Sequence, residues 1–224
     1  IGARAFAGCT QLEALTLPDS LTTIGEGALD GLTGLKKLVI RCDPAIIAAG
    51  VFANLPALSD VTVEFGAIPA HMFEGSGVTV LTLGAGVTEI GDSAFANTAL
   101  TSAEMQNVTA IGAGAFANTA LTSAEMQNVT AIGAGAFEGS ALERVQLNAA
   151  ASVGERAFAN TKLTKMVIPT AGSFPLSAVE GTSAELRLPA DATDEQLAAW
   201  NETLERPWYD PMLREGEVSQ FVKM

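Results

Sequence analysis

Residues 94–114 and 115–135 are the same 21 residues written twice, AFANTALTSAEMQNVTAIGAG, and a third copy begins at Ala136-Phe137. A chain built this way stacks one small supersecondary unit, so its period has to be read before its domains. Each unit in such an array contacts only its neighbours. Function then resides in an extended surface more than in a buried catalytic constellation.

Laying the units over one another on the AlaPhe pair puts Phe6, Leu29, Phe52, Phe73, Phe95, Phe116, Phe137, Phe158 and Val179 in one column, at steps of 23, 23, 21, 22, 21, 21, 21 and 21 residues. Rings repeated at one phase belong in a shared core, which predicts an aromatic spine. A second apolar column lies five residues earlier, at Ile1, Ile24, Ile47, Ile68, Ile90, Ile111, Ile132, Val153 and Phe174. Gly usually follows it, with Ala48, Pro69 and Pro175 as exceptions, and a bend is expected there. Two residues past the Phe column only Gly and Asn occur, at Gly8, Gly31, Asn54, Gly75, Asn97, Asn118, Gly139, Asn160 and Gly181. These residues enter the left-handed backbone region at least cost, so a positive φ is predicted at each.

Each unit then carries a short alternating segment, such as Leu15-Thr16-Leu17, Val61-Thr62-Val63 or Met166-Val167-Ile168. Period-2 alternation reads as a strand, its outer members facing the core and its middle one facing out. A further Leu stands three residues ahead, as at Leu35, Leu100 and Leu142. The unit is L-x-x-L-x-L, a variable turn, then I-G-x-x-A-F-x-N. Its first half is a leucine-rich repeat pattern with one strand per unit. The expected fold is an α/β solenoid with a curved parallel β-sheet of about nine short strands over residues 1–189.

The IleGly and AlaPhe columns narrow the type. Residues 1–18, IGARAFAGCTQLEALTLP, resemble the units of BspA-like leucine-rich repeat proteins, a family of bacterial surface proteins also called the Treponema pallidum type. The resemblance covers about residues 1–189 and implies a right-handed superhelix. It also implies a secreted or surface-attached location and a role in adhesion to host or neighbouring-cell surface proteins.

After Pro189 the pattern stops. Thr193 and Gln196 make a capping box, predicting a helix from 194 to about 205 with Leu197, Trp200 and Leu204 on one face. Residues 190–224 are expected to cap the last coil. Trp208 and Tyr209 follow Pro207 and complete an aromatic group whose other reading is a ligand patch.

Net charge is −13, which opposes non-specific binding to nucleic acid or an anionic membrane surface. No apolar run is long enough to span a bilayer, so no membrane insertion is expected. The chain begins within a repeat and without Met, and is read as a mature form or an excised fragment. Cys9 and Cys42 fall at different phases of the repeat, which argues against a disulfide. His71 is the sole histidine and reads as polar surface. No nucleophile–base set or metal motif is legible, so neither catalysis nor a cofactor is expected.

Between Arg41 and Arg144 stand ten acids and no Lys or Arg. The outward strand positions are the best candidate surface, and they carry no aromatic residue. They single out Asp60, Thr62, Glu64, Ser102, Glu104, Ser123, Glu125, Arg144, Gln146 and Lys165 as a concave face for a protein ligand. Glu104 and Glu125 are expected to be cross-strand neighbours and, being copied, count as one choice. The expected function is a non-catalytic binding module, monomeric, with a structural spacer as the alternative.

Overall fold

In the computed structural model, which describes residues 1–147, 151–169, 174–203 and 213–214 with side chains through residue 198, the repeats wind as a solenoid. In chain order the strands are β1 (Ala14–Leu17), β2 (Lys37–Ile40), β3 (Asp60–Ile68), β4 (Val80–Ile90), β5 (Ser102–Glu104), β6 (Ala110–Ile111), β7 (Ser123–Met126), β8 (Ala131–Ile132), β9 (Arg144–Leu147), β10 (Ser152–Val153), β11 (Lys165–Val167) and β12 (Glu185–Leu188). Helix α1 (Asp194–Thr203) and strand β13 (Leu213–Arg214) follow.

Nine of these strands occupy the alternating segment, one per unit: β1, β2, β3, β4, β5, β7, β9, β11 and β12. All their pairings are parallel and keep the repeat register, Leu15 beside Leu38 and Leu38 beside Val61. Outer members face the core: Leu38, Ile40, Val61 and Val63 are fully buried, and Leu15, Leu81, Leu83, Val145, Leu147 and Leu186 partly so. The ladder runs in three lengths, β1–β4, then β5–β7–β9, then β11–β12–β13.

A second ladder, not expected from the sequence, forms at the Ile column. The far ends of β3 and β4 bend round the coil and continue as β6, β8 and β10, with Ile90, Ile111, Ile132 and Val153 in register. The Gly after each Ile has a different cause from the bend expected. A Cβ on Gly112, Gly133 or Gly154 would come within 2.5 Å of an atom of the preceding coil. Crowding between coils excludes a side chain there.

The turn around the Phe column also bonds from coil to coil. All nine Gly/Asn positions have positive φ, from Asn118 at 54° to Gly181 at 72°. Four residues earlier stands a second left-handed column, which composition does not reveal: Arg4, Gly27, Gly50, His71, Ser93, Gly114, Gly135 and Arg156. Left-handed residues on both sides of the Phe turn three alternate peptide planes parallel to the solenoid axis. Their N–H groups donate to the next coil, as Ser93 N to Ala113 O, Phe95 N to Ala115 O and Asn97 N to Ala117 O, each 2.8 Å. The peptide dipoles therefore line up head to tail.

Inside this turn, Phe52, Phe73, Phe95, Phe116, Phe137 and Phe158 are fully buried. Neighbouring rings stack at centroid separations of 5.2–6.0 Å and interplanar angles of 6–16°. Those separations exceed face-to-face contact, so the stack is offset, the arrangement ring quadrupoles favour. Three residues after the Phe, buried hydroxyls of Ser76, Thr98, Thr119 and Thr161 donate back to its carbonyl at 2.6–2.9 Å.

At the C-terminal end the capping box closes both ways: Gln196 N donates to Thr193 Oγ1 at 3.2 Å and Thr193 N to Gln196 Oε1 at 2.8 Å. Leu197 packs against the core. The expected contributions of the Trp200 side chain, Leu204, Pro207, Trp208 and Tyr209 lie outside the described residues. Cys9 is exposed and Cys42 buried, and both are free thiols.

Two outcomes follow. Phe116→Ala removes a ring from between two others and is expected to cost about 3–5 kcal/mol, against about 1 kcal/mol for Phe116→Leu, measured by guanidinium unfolding. At the left-handed column, a Cβ on Gly139 would meet Asn118 Oδ1 at 2.5 Å, whereas on Gly31 it would find only ordinary contacts at 3.6 Å. Gly139→Ala should therefore destabilise by about 1 kcal/mol more than Gly31→Ala. The excess should vanish in an Asn118→Gly background; if it persists there, the side-chain clash is not its cause.

Candidate binding surface

The outward positions of the strand ladder form one face that runs the length of the solenoid. Strand pairing fixes which side chains meet. Lys37 lies beside Asp60 and Val39 beside Thr62. Ser102, Ser123 and Arg144 form one row, and Glu104, Glu125 and Gln146 the next. Lys165 follows on β11, beside Glu185. Asp60 and Thr62 are half-buried, and the other eight sequence-predicted residues are exposed.

The charges divide into two kinds. Near the N-terminal end the acids are neutralised from a neighbouring coil: Lys37 Nζ to Asp60 Oδ2 at 2.7 Å and Arg41 Nε to Glu64 Oε1 at 2.9 Å from the preceding one, and Lys36 Nζ to Glu13 Oε1 at 2.7 Å from the following one. Asp60 and Glu64 are thus brought together with bases, and their charge is spent within the fold. Glu104 and Glu125 have no ion-pair partner among the described residues, nor do Arg144 and Lys165. The middle of the face therefore presents two adjacent carboxylates followed along the axis by two cations, all solvated.

The sequence-predicted set of site residues left out the apolar part of this region. Val80, at the start of β4, is 54% exposed, and Phe65 is 38% exposed. Val80 stands where the ladder is interrupted between β4 and β5, and a small cleft of about 50 Å³ opens there between Leu83, Val87, Glu104 and Met105. The signal was the lengthened apolar run LTLGAGVTEI at 81–90, which departs from the period of its neighbours.

On the opposite wall, Arg156 sits at positive φ and bridges two coils, its Nη2 2.6 Å from Glu138 Oε1 and its Nη1 2.6 Å from Glu180 Oε2. The hydrogen bond from Arg156 holds the Glu138 carboxyl below the usual carboxylate range. His71, also left-handed, bonds through Nδ1 to Glu74 Oε2 at 2.7 Å and is exposed, a surface pair as expected. No group of three metal-ligating side chains occurs among the described residues.

A BspA-type leucine-rich repeat model matches six copies over residues 1–101 and 66–182. The chain belongs to that family. No functionally curated protein matches it in sequence. Among solved structures it is similar to a leucine-rich repeat protein from Bacteroides ovatus ATCC 8483, at 16% identity over 84% of this chain and 78% of that one, TM-score 0.40. It is also similar to a leucine-rich cell surface protein from Faecalibacterium prausnitzii A2-165, at 18% identity over 89% and 84%, TM-score 0.31. At such scores the assignment rests on the repeat match alone.

The pH dependence of the Arg156 bridge has a definite sign. Glu138 is depressed in the folded state, so its contribution is present above the unfolded carboxylate pKa of about 4.3 and lost as pH falls through the lower folded value. Arg156→Gln should raise the Glu138 midpoint toward its ordinary position in a carboxyl NMR titration. Because both partners are solvated, the stability lost at neutral pH should be small and should shrink in acid.

Proposed function

We propose that this chain is a non-catalytic binding module, secreted or displayed on a cell surface, that engages a host or neighbouring-cell protein through the outer face of the strand ladder. A leucine-rich repeat solenoid is a protein-interaction scaffold, and the family assignment supports that much. Among the described residues no helix is long and apolar enough to cross a membrane. The observation that carries the reading is the split in the charges. Asp60 and Glu64 are consumed by Lys37 and Arg41, whereas Glu104, Glu125, Arg144 and Lys165 are left solvated on neighbouring coils.

Such a strip offers charge complementarity to a protein with a basic patch next to an acidic one, which gives specificity and on-rate. Ser102, Ser123 and Gln146 add exposed hydrogen-bonding groups between the charges. Adhesion is the expected use, and a monomer is the expected state. The spacer alternative draws on the continuous ring stack, which makes the array stiff along its axis, and it requires no ligand on this face.

Direct binding to a panel of matrix and cell-surface proteins separates the two. Glu104→Lys with Glu125→Lys is expected to weaken binding by about tenfold or more, with a salt-dependent on-rate. Lys37→Ala should leave it unchanged. Binding that survives the double reversal intact would remove this face from consideration.

A further inference from the structure

The axial hydrogen bonding of the Phe turns is lost entirely at one seam, between the second coil (Ile24–Gly31) and the third (Ala45–Asn54), and at the next seam only Asn54 N to Glu74 O, at 2.7 Å, remains. Carbonyls of Glu26, Ala28 and Asp30 accept from the first coil, from Arg4, Phe6 and Gly8 at 2.8–3.0 Å. Peptide planarity then directs the N–H groups of Gly27, Leu29 and Gly31 the opposite way, toward the third coil. Among the described residues none of the three has an acceptor, although Leu29 is 1% exposed. The same three groups are satisfied in the coils around Phe73, Phe95, Phe116 and Phe137.

The third coil leans the other way. Residues Pro44–Ile46 form a 3-10 turn. A Cβ on Gly66 would come within 2.7 Å of Pro44, so this turn is pressed against the following strand. Between the two coils lies a cleft of about 290 Å³, lined by Ile24, Leu29, Ile46, Ile47, Ala48 and Val51 among others. Exposed Glu26 and Asp30 line the cleft with Gly27 and Leu29, Gly31 lies just beyond it, and the Arg4 side chain passes beside Gly27 next to Asp30.

We infer that this seam is a binding site for a short peptide segment with an aliphatic side chain flanked by basic ones. Backbone carbonyls of the peptide accept from the Gly27, Leu29 and Gly31 amides, the aliphatic group fills the space against Ile47 and Val51, and the basic groups meet Glu26 and Asp30. A purely apolar ligand would leave the amide of buried Leu29 unmet. A free anion would suit the amides but is repelled by the two carboxylates beside them. Neutral acceptors on an apolar body with cationic flanks satisfy all three features. The site lies on the turn wall and does not depend on the strand-face reading above.

The test is an amide NMR titration with the capped peptide acetyl-Lys-Val-Ala-Lys-amide. Saturable shifts are expected at Gly27, Leu29 and Gly31, and not at the paired amides of Ser93, Phe95 and Asn97. Ala48→Trp and Val51→Trp, each filling the cleft from the third coil, should weaken binding by about tenfold or more while the thermal midpoint is kept. If either variant fails to fold, the other serves. Glu26→Lys with Asp30→Lys should transfer preference to acetyl-Glu-Val-Ala-Glu-amide. The proposal is overturned if the three amides stay unmoved at millimolar peptide, if inorganic phosphate shifts them equally, or if a folded tryptophan variant binds as the parent does.

Discussion

Everything in this solenoid depends on the peptide planes beside the Phe column lying parallel to the stacking axis. A strand ladder alone fixes one edge of each coil. The turn at the opposite edge must also bond to its neighbours, or its polar backbone groups are left without partners. Paired left-handed residues achieve this by aiming three N–H groups at the next coil and three carbonyls at the previous one. The rings then stack because the coils are already held in register. Left-handed backbone is costly for residues other than Gly and Asn, yet Arg4, His71, Ser93 and Arg156 accept it. The inter-coil bonds outweigh that strain.

The parts of this design that were legible in sequence are those that recur as one residue type at one phase. The Phe stack, the Ile and Leu columns and the Gly/Asn turn all did so, and each was found where expected. The second left-handed column escaped because its occupants share no chemistry: Gly114 and Gly135 are unremarkable beside Arg156 and His71. The second ladder escaped because its strands are two residues long, too short for alternation to register. Its β-branched signature, Val108-Thr109 before Ile111 and Val129-Thr130 before Ile132, was present but fell in what read as a variable turn.

The candidate surface was legible as a face and illegible as an electrostatic object. Alternation correctly assigned Glu104 and Glu125 outward and side by side. Linear charge counting could not tell them from Asp60 and Glu64, because neutralisation depends on which base the preceding coil presents. A 23-residue step places Lys37 beside Asp60 and Arg41 beside Glu64. The units holding Glu104 and Glu125 follow a unit with no base, so their charge stays open.

Unit length also locates the broken seam. The two longest steps, 23 residues each, both involve the second coil, whereas the well-bonded coils from Phe95 to Phe158 step by 21. Extra residues beside a strand ladder of fixed register must be absorbed in the turn, and at the third coil they become the 3-10 turn at Pro44–Ile46. Ala48 stands there in place of the Gly that usually follows the Ile column, and its side chain lines the cleft. Two of the exceptions to the repeat, Ala48 and the Leu29 that replaces a ring, line this same cleft. In an array built from copies, a departure that several columns share is where the surface stops being uniform, and where a partner has something particular to recognise.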